Sequence, residues 1–311
     1  MPASSNPNFV LQGIARLNHL GVIQIEGKDA AKFIQGQLTH DFALLGQDTA
    51  RLAAFCNPKG RMQASFVGFK RPNGVIFLVC SRDLLAATVK RLSMFVMRAK
   101  AKLTDVSDQF QVFGLAGDAT ISVASHAVPA WSKSDFDAAT LVNLYPAEGV
   151  SRQLLVVPVG GEVPQGPALT AEHWAWGEVR SGVATVTLPV WETFVPQMLN
   201  YESVGGVSFK KGCYPGQEVV ARSQFRGTLK RRAFIAHCAA PASSGAEVFA
   251  ADDANQPVGT VVQAAAAPSG GWDAIVSLQL TAVSSSTVHL GAADGPVLQL
   301  LPLPYALLED I

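Results

Sequence analysis

The chain of 311 residues has little charge, no net charge and no long apolar segment. Only 15% of its residues are charged, whereas a dedicated nucleic-acid-binding domain usually carries a strongly basic surface. No segment approaches the roughly 18 consecutive apolar residues that a membrane-spanning helix needs. We therefore expect a protein with neither direct nucleic-acid contacts nor membrane contacts.

The N-terminal residues 1–8 lack the features of a targeting segment. They contain no basic region followed by an apolar stretch, as a secretory signal has, and none of the arginines of a mitochondrial transit peptide. The expected location is therefore the cytoplasm.

Motifs that hold metals or drive common catalytic reactions are also missing. The six histidines form no HExxH pattern, and the chain has no P-loop, no GxSxG elbow and no GxGxxG after a strand. Its four cysteines form no CxxC pair and no zinc-spaced set with histidine, so we expect reduced thiols and no permanently bound metal or iron–sulfur cluster. They are Cys56, Cys80, Cys213 and Cys238.

The most informative segment is Lys-Gly-Cys-Tyr-Pro-Gly-Gln-Glu at residues 211–218. Cys213 follows Lys210 and Lys211, and Pro215 suits the first position of a helix. Positive charge and a helix N-terminus both favour a thiolate over a thiol. A buried cysteine in a tight turn is the alternative, but the lysines, the two glycines and the polar pair after them favour a functional thiol.

A longer stretch has the residues and the spacing of a known signature, over about twenty-five positions. It comprises Phe194-Val195-Pro196-Gln197, Asn200 and Gly205-Gly206-Val207-Ser208-Phe209-Lys210-Lys211-Gly212-Cys213-Tyr214-Pro215-Gly216-Gln217-Glu218. The chain thereby resembles the YgfZ/Iba57 family of folate-binding proteins of iron–sulfur cluster assembly, which is related to the glycine-cleavage T protein (aminomethyltransferase). The bacterial YgfZ branch is the closer match, and weaker similarity extends from Leu17 to the C-terminus.

The patterns of the chain predict an α+β region followed by an all-β region. Strands are expected at 51–57 and 62–69, and helices at 30–38 with Asp29 as N-cap, at 84–98 and at 172–182. The resemblance adds a T-protein-like arrangement of three units around a central opening. It implies two interleaved folate-binding units over residues 1–232, the second at roughly 51–110, and a C-terminal β-barrel over 233–311.

The resemblance implies a site for tetrahydrofolate or a derivative. A flat pterin needs an aromatic or apolar slot, and its glutamate carboxylates pair well with arginine or lysine. Trp174 lies in a segment similar to the one where the family places a pterin-side aromatic residue. Trp176 competes for this role, and a core tryptophan on an amphipathic helix explains the segment equally well.

Arg222, Arg226 and Lys230 follow one another at four-residue spacing and would share a helix face, although Gly227 would end the helix before Lys230. They predict an anion-binding rim near Cys213 or, alternatively, a solvated basic face. Cys213 would act as a transient thiolate ligand or a redox group. Six neighbours are expected to activate the thiol, shape the turn or contact folate: Lys211, Gly212, Tyr214, Gly216, Gln217 and Glu218.

Two further segments resemble the family. Thr39 and Asp41 are expected to lock a helix to the following loop, because such side chains commonly bond to nearby backbone groups. In aminomethyltransferases a glycine-rich turn leads into an acidic pair, but this chain has Gln63 and Ala64 there. General acid–base groups typically contribute about 10²-fold or more to a rate, so this absence argues against that reaction.

The first functional hypothesis is a tetrahydrofolate-binding accessory protein in iron–sulfur cluster assembly or repair, with Cys213 as its working thiol. Its partners would be the assembly machinery or client enzymes, and a role in tRNA modification would follow indirectly. The alternatives are a folate-dependent one-carbon transferase or demethylase, and a pure binding module that senses folate.

Overall fold

The computed structural model describes residues 9–122, 128–225 and 229–308. Within these ranges the chain forms sixteen strands and five α-helices. The strands are β1 (Gly13–Arg16), β2 (Leu20–Glu26), β3 (Ala50–Cys56), β4 (Met62–Lys70), β5 (Ile76–Ser81), β6 (Lys102–Asp105), β7 (Phe110–Ala116), β8 (Lys133–Phe136), β9 (Ala139–Asn143), β10 (Arg152–Pro158), β11 (Arg231–Cys238), β12 (Glu247–Ala250), β13 (Asp253–Ala266), β14 (Trp272–Gln279), β15 (Val288–Leu290) and β16 (Gln299–Leu301). The helices are α1 (Ala30–Gln35), α2 (Arg82–Ser93), α3 (Ala171–Arg180), α4 (Gln217–Phe225) and α5 (Leu280–Ser285).

The strands form three antiparallel sheets, and the first two are interleaved in the sequence. The first sheet has the order β1-β7-β10-β9-β8, and the second has the order β3-β4-β5-β2-β6. Every strand of the second sheet therefore lies between β1 and β7 of the first. The division into regions at 1–232 and 233–311 stays a prediction, and β11 begins at Arg231, just before that boundary.

The predicted C-terminal β-barrel corresponds to the third sheet, which forms a half-barrel, while full closure is not shown. Its six strands have the order β15-β12-β13-β14-β11-β16, and its edge strands do not pair with each other in the described part of the chain. Each edge strand has only three residues, too few for a long ladder, and His289 of β15 bridges to Val297 instead. Val297 lies two residues before β16, and on either side of it Leu298 donates its N–H to Val288 at 2.9 Å and Pro296 accepts the N–H of Leu290 at 2.8 Å. The segment that leads into β16 therefore joins the two edges of the sheet.

The predicted strands at 51–57 and 62–69 are confirmed as β3 and β4, but two helices are shorter than predicted. Helix α1 ends at Gln35, because the chain turns at Gly36 and Leu38 already bridges to Phe55. Helix α2 ends at Ser93, five residues before the predicted end, and several apolar side chains beyond it are exposed, although Val96 packs against a core cluster. Those exposed side chains include Met94, Phe95 and Met97.

The two predicted helix starts have different outcomes. Asp29 occupies the N-cap position of α1, but its carboxylate accepts the backbone N–H of Lys100 at 2.7 Å and makes no cap hydrogen bond. Helix α3 begins one residue before the predicted start, because Thr170 accepts the backbone N–H of His173 at 3.2 Å as a side-chain cap. It ends before Gly182, whose φ is +67°.

Helix α3 lies where the sheets meet, and this position defines the centre of the molecule. It contacts β1 of the first sheet and both β13 and β14 of the third. Its Trp174 and Val179 are fully buried and belong to two separate core clusters. Among the described residues no helix has the length and apolarity to span a membrane.

Candidate functional site

Cys213 is the single exposed cysteine of the four in the chain. The other three are buried, and burial raises the pKa of Cys56 to about 12 and that of Cys80 further. Thiols of that kind stay protonated and inert. The alternative interpretation of Cys213 as a buried structural cysteine is therefore wrong.

Lys211 ties the loop of Cys213 to the end of helix α1. Its ammonium donates to the backbone carbonyl of Leu38 at 2.5 Å and to that of Gln35. The residue is only 8% exposed, and this burial lowers its pKa to about 8, while the charges of Asp41 and Cys213 oppose the shift. Lys211 is thus a structural anchor as well as a positive charge beside the thiol.

Thr39 provides a second attachment for the same loop. Its hydroxyl donates to the carbonyl of Gly206 at 2.6 Å and accepts the N–H of Ala54 at 2.8 Å, and its carbonyl accepts the N–H of Ser208. Asp41 accepts the backbone N–H of Leu44 at 2.9 Å. The predicted local lock holds for Asp41, which bonds within the loop, but not for Thr39, because Thr39 bonds to segments that lie far from it in the sequence.

The two glycines of the loop have different structural importance. Gly216 has φ +79°, and a Cβ there would lie 2.5 Å from the carbonyl oxygen of Asn57 and 2.7 Å from Gly60. Gly212 has ordinary backbone angles and open space around it, so glycine is not required there. Because Gly216 is left-handed, α4 begins after it at Gln217, and Pro215 lies in the preceding turn rather than at the first helical position.

The remaining predicted loop residues mostly stabilise the segment. Tyr214 is buried beneath the ammonium of Lys211, which lies 4.6 Å from its ring centroid. Glu218 and Arg222 form an exposed ion pair of 2.5 Å along α4, and Arg226 lies outside the described residues. A cleft of about 480 Å³ opens beside the thiol and is lined by Pro58, Cys213, Tyr214, Gly216, Gln217, Glu218 and Ala221.

A second site, the central pocket, lies at the junction of the first two sheets and α3. Its volume is about 70 Å³, far below the roughly 300–1,000 Å³ of typical ligand pockets. The polar and aromatic side chains that line it include Trp131, Tyr145, Arg152, Trp174, Glu178 and Tyr201. It shares no lining residue with the cleft of Cys213, so the fold does not bring the predicted pterin residue and the thiol together.

Trp174 lines the central pocket but is itself 0% exposed. The guanidinium of Arg152 covers its ring at 4.4 Å, and a Cβ on Gly114 would lie 2.6 Å from three ring atoms. The competing Trp176 donates its indole N–H to Asp273 at 2.8 Å and is not part of this lining. Of the two tryptophans, Trp174 is therefore the one placed at the pocket.

Glu178 of α3 contacts side chains from three segments that lie far apart in the sequence. It accepts hydrogen bonds from the indole of Trp174 at 3.0 Å and from Gln263 of the third sheet at 3.2 Å, and His19 lies 3.6 Å away. Burial alone would raise the pKa of Glu178, but His19, Arg152 and Trp174 outweigh it and lower that pKa. In turn, Glu178 outweighs the desolvation of His19 and raises its pKa.

Sequence reasoning missed Arg152, as it missed Glu178 and Trp131, which also line this pocket. Arg152 is only 3% exposed, and its Nε has no hydrogen-bond partner among the described residues. Burial lowers its pKa to about 10, opposed by the charge of Glu178. The available signal was a charged residue at the start of the otherwise apolar strand β10. The sequence could not identify Trp174 of α3 as its partner, because the two elements meet only when the fold packs.

The missing acidic pair is partly replaced by a carboxylate from another segment. Gln63 donates its amide N–H to Glu192 at 2.6 Å. Neither residue lines the central pocket. In the described part of the chain, no group of three or more histidine, cysteine, aspartate or glutamate side chains is placed to hold a metal ion.

Comparison with known proteins places the chain in a family. Residues 12–149 match the family described as GCVT N-terminal domain. The tRNA-modifying protein YgfZ of Enterobacter sp. (strain 638) is 30% identical, covering 94% of this chain and 93% of the relative. The chain belongs to the YgfZ family. Another member, the tRNA-modifying protein YgfZ of Edwardsiella ictaluri (strain 93-146), is 29% identical over 94% of this chain and 92% of the relative.

A solved structure confirms the T-protein-like fold of this YgfZ-family chain. The aminomethyltransferase T of the glycine cleavage system from Bartonella henselae superimposes with a TM-score of 0.65, covering 94% of this chain and 86% of that one. Sequence identity is 16%, so this likeness speaks for the fold alone. The family and the T-protein relationship inferred from the signature are both confirmed.

Proposed function

We propose that this protein binds tetrahydrofolate in the central pocket and serves iron–sulfur-dependent tRNA modification through the exposed thiol of Cys213. One observation carries the proposal. In a chain that aligns with tRNA-modifying YgfZ proteins over 94% of its length, the exposed cysteine lies within the signature loop.

The donor and acceptor set of the central pocket fits a pterin. The buried Nε–H of Arg152 lacks a partner, and such a donor costs roughly 1–3 kcal/mol until an acceptor arrives. A pterin carbonyl or ring nitrogen supplies that acceptor, and the carboxylate of Glu178 accepts pterin N–H groups. Trp174, Tyr145 and Tyr201 provide the apolar walls. Tetrahydrofolate, when bound, would supply a carrier of one-carbon units.

The volume of the pocket adds a requirement. At about 70 Å³ the pocket is several-fold smaller than the roughly 300–1,000 Å³ of typical ligand pockets. A pterin therefore enters only if lining side chains move. Folate binding should accordingly change the environment of the pocket tryptophans, which gives a spectroscopic readout.

The Cys213 loop fits a role in partner-facing chemistry. The thiol is exposed in a cleft of about 480 Å³, and the buried ammonium of Lys211 lies close enough to interact with its charge. A thiolate there can ligate iron transiently, or it can attack a disulfide of a partner, forming a mixed disulfide and releasing the other sulfur as a thiolate. The surrounding loop is fixed to α1 and Thr39, so the thiol is presented on a rigid support.

The test of the folate site is a calorimetric titration of the reduced, anaerobic protein with tetrahydrofolate, followed in parallel by tryptophan fluorescence. Trp174→Phe should weaken binding by about tenfold, since base–aromatic contacts are worth about 1–3 kcal/mol. Trp191→Phe is the matched control, because Trp191 is exposed and outside the pocket. Absence of binding at millimolar ligand would refute the folate site.

The test of the thiol is complementation of a strain that lacks its own YgfZ protein. Cys213→Ser should abolish the rescue of iron–sulfur enzyme activity and of tRNA modification, while Cys238→Ser, at a buried thiol in the third sheet, should retain it. Full rescue by Cys213→Ser would refute the thiol role and leave a folate-binding module. The one-carbon transferase alternative predicts turnover of a methylamine donor to 5,10-methylene-tetrahydrofolate, but the carboxylate of Glu192 lies outside the pocket lining.

A further inference from the structure

A third cleft shares a wall with the central pocket. Its volume is about 580 Å³, and Trp131 belongs to the lining of both. The cleft runs between the start of β3 and the segment 128–134. We call it the Arg51 cleft after the residue that dominates its chemistry. Its polar and charged lining comprises His40, Asp48, Thr49, Arg51, Ser132, Lys133 and Ser134.

Arg51 is the cation in this cleft that has no partner. It forms no hydrogen bond or ion pair with any described residue, and its Nε is buried without an acceptor. Asp48 also lines the cleft but does not pair with Arg51. A planar guanidinium with open donors matches carboxylate geometry, and charge-assisted bonds of this kind are the strong ones.

The other two basic side chains of the cleft are not available to a carboxylate, because one is already paired and the other is uncharged. The ammonium of Lys133 is fully buried, pairs with Asp135 and donates to the carbonyl of Lys70 at 2.9 Å. His40 accepts the N–H of Asp41 through Nδ1 at 2.7 Å, which leaves Nε2–H as a donor. Burial and the charges of Arg51 and Lys211 lower the pKa of His40 to about 4, outweighing Asp41, so the imidazole is neutral near pH 7.

Trp131 separates the two cavities in a strained conformation. Its φ is +68°, a left-handed value that is an outlier for a bulky residue. The backbone is fixed on both sides, since its N–H donates to Asn143 and its carbonyl accepts the N–H of Ala50, each at 2.7 Å. The indole is held by one hydrogen bond, to the carbonyl of Val204 at 2.9 Å. Local strain of this kind clusters at ligand clamps and switches.

We propose that the Arg51 cleft binds the glutamate tail of folate, with Arg51 as the carboxylate partner and Trp131 as the movable wall between tail and pterin. The inference rests on the proposed folate function and deepens it. The small central pocket then receives only the pterin, and the larger cleft receives the carboxylate chain.

Three ligands separate this proposal from the folate function itself. Tetrahydropterin, which lacks a tail, reports on the central pocket alone. The tail probe p-aminobenzoyl-triglutamate reports on the Arg51 cleft alone. Tetrahydrofolate reports on both together. Each is titrated calorimetrically into the wild-type protein, into Arg51→Gln and into Arg91→Gln, which removes an exposed arginine on α2.

We expect tetrahydrofolate to bind the wild-type protein about tenfold more tightly than tetrahydropterin, which lacks the tail, and tenfold corresponds to about 1.4 kcal/mol. Arg51→Gln should abolish this preference and weaken the tail probe, leaving tetrahydropterin binding unchanged, and Arg91→Gln should behave as wild type. No binding of the tail probe to the wild-type protein, or an unchanged tail preference in Arg51→Gln, would overturn the proposal. Failure of tetrahydropterin to bind would count against the central pterin site alone.

A second variant tests the movable wall. Trp131→Phe removes the indole hydrogen bond to Val204 but keeps an aromatic ring. We expect tetrahydrofolate to associate faster with this variant, by a few-fold in stopped-flow measurements, while the tail probe associates at the wild-type rate. Equal association rates of tetrahydrofolate with the wild-type protein and with Trp131→Phe would show that Trp131 is not the movable wall.

Discussion

The central pocket and the Cys213 loop place their charged groups in opposite surroundings. In the pocket, Arg152 and Glu178 are buried, bonded across three parts of the molecule, and enclose only about 70 Å³. In the loop, the charge of Lys211 is buried but the thiol of Cys213 beside it is exposed. A ligand can reach the thiol at once, whereas it enters the pocket only after side chains move.

This difference separates two activities that the sequence alone would place together. The signature motif contains the thiol, and the family resemblance supplies the folate, so one composite site was the natural expectation. The two cavities share no lining residue. Folate binding and thiol chemistry are therefore open to separate mutation, and the predictions below use that separation, beginning with the largest expected effect.

The largest contrast concerns thiol reactivity. Iodoacetamide should modify Cys213 in the native protein on the order of 100-fold faster than any other cysteine, because reaction at a buried thiol requires local opening. Peptide mass spectrometry over a time course measures this directly, with urea-unfolded protein as the reference for four reactive thiols. Comparable native labelling of Cys56 or Cys80 would contradict the burial described here.

The next contrast is between two glycines four residues apart. Gly216→Ala should destabilise the protein by about 2–4 kcal/mol, because a Cβ would meet backbone atoms of Asn57 and Gly60 at a left-handed residue. Gly212→Ala should change stability by less than about 0.5 kcal/mol, since nothing lies near that position. Urea unfolding measures both, and equal effects would mean that the hairpin at residues 57–60 does not support the loop.

A substitution in the pocket should leave the thiol unaffected. Glu178→Gln removes the negative charge that opposes the desolvation of Arg152, and we expect a loss of about 1–3 kcal/mol of stability. Glu172→Gln on the exposed first turn of the same helix is the control. The iodoacetamide rate of Cys213 should match that of the wild-type protein in both variants, and a change confined to Glu178→Gln would show that the two sites are coupled.

Local chemistry explains which of these features could be predicted from the sequence. The turn around Cys213 and the local bond of Asp41 were recognisable because residue type and short spacing determine a turn or a nearby hydrogen bond, whereas the partners of Thr39 lie far away in the sequence. Arg152 over Trp174 was not predictable, because β10 and α3 meet only after the sheets pack. The end of α2 was predicted wrongly for a related reason, because the helical spacing of apolar residues does not show how many of them pack in a core.

The arrangement of the three sheets was predictable only from the family resemblance, whereas some individual strands were predictable from local patterns. Strands β3 and β4 followed from a turn-rich tetrapeptide between two apolar runs, which is a local signal. The order of the strands in the C-terminal sheet depends on the pairing of β11 with β16, which lie far apart in the sequence, and no local pattern encodes that pairing. The strained backbone of Trp131 is likewise set by its bonds to Ala50 and Asn143, which lie on different sheets.

The smallest expected effect concerns the buried charge of Lys211. Its pKa is about 8 in the folded protein and near 10.5 in the unfolded chain, so between these values the unfolded chain binds more protons. By linkage, this group makes stability rise with pH from about 8 to 10.5. The buried thiols oppose that trend, because the raised pKa values of Cys56 and Cys80 keep them protonated where the unfolded thiols ionise.

The Lys211 contribution is therefore measured as a difference between proteins. We expect urea unfolding of the wild-type protein and of Lys211→Met to differ in slope between pH 8 and 10.5, with the wild-type protein gaining about 1–2 kcal/mol relative to the variant. Lys210→Met is the matched control, since Lys210 is the preceding lysine and forms neither carbonyl bond. Parallel curves for the wild-type and Lys211→Met proteins would mean that the ammonium is hydrated in solution. The charge beside Cys213 would then be an ordinary surface charge, and the contrast between buried anchor and exposed thiol would disappear.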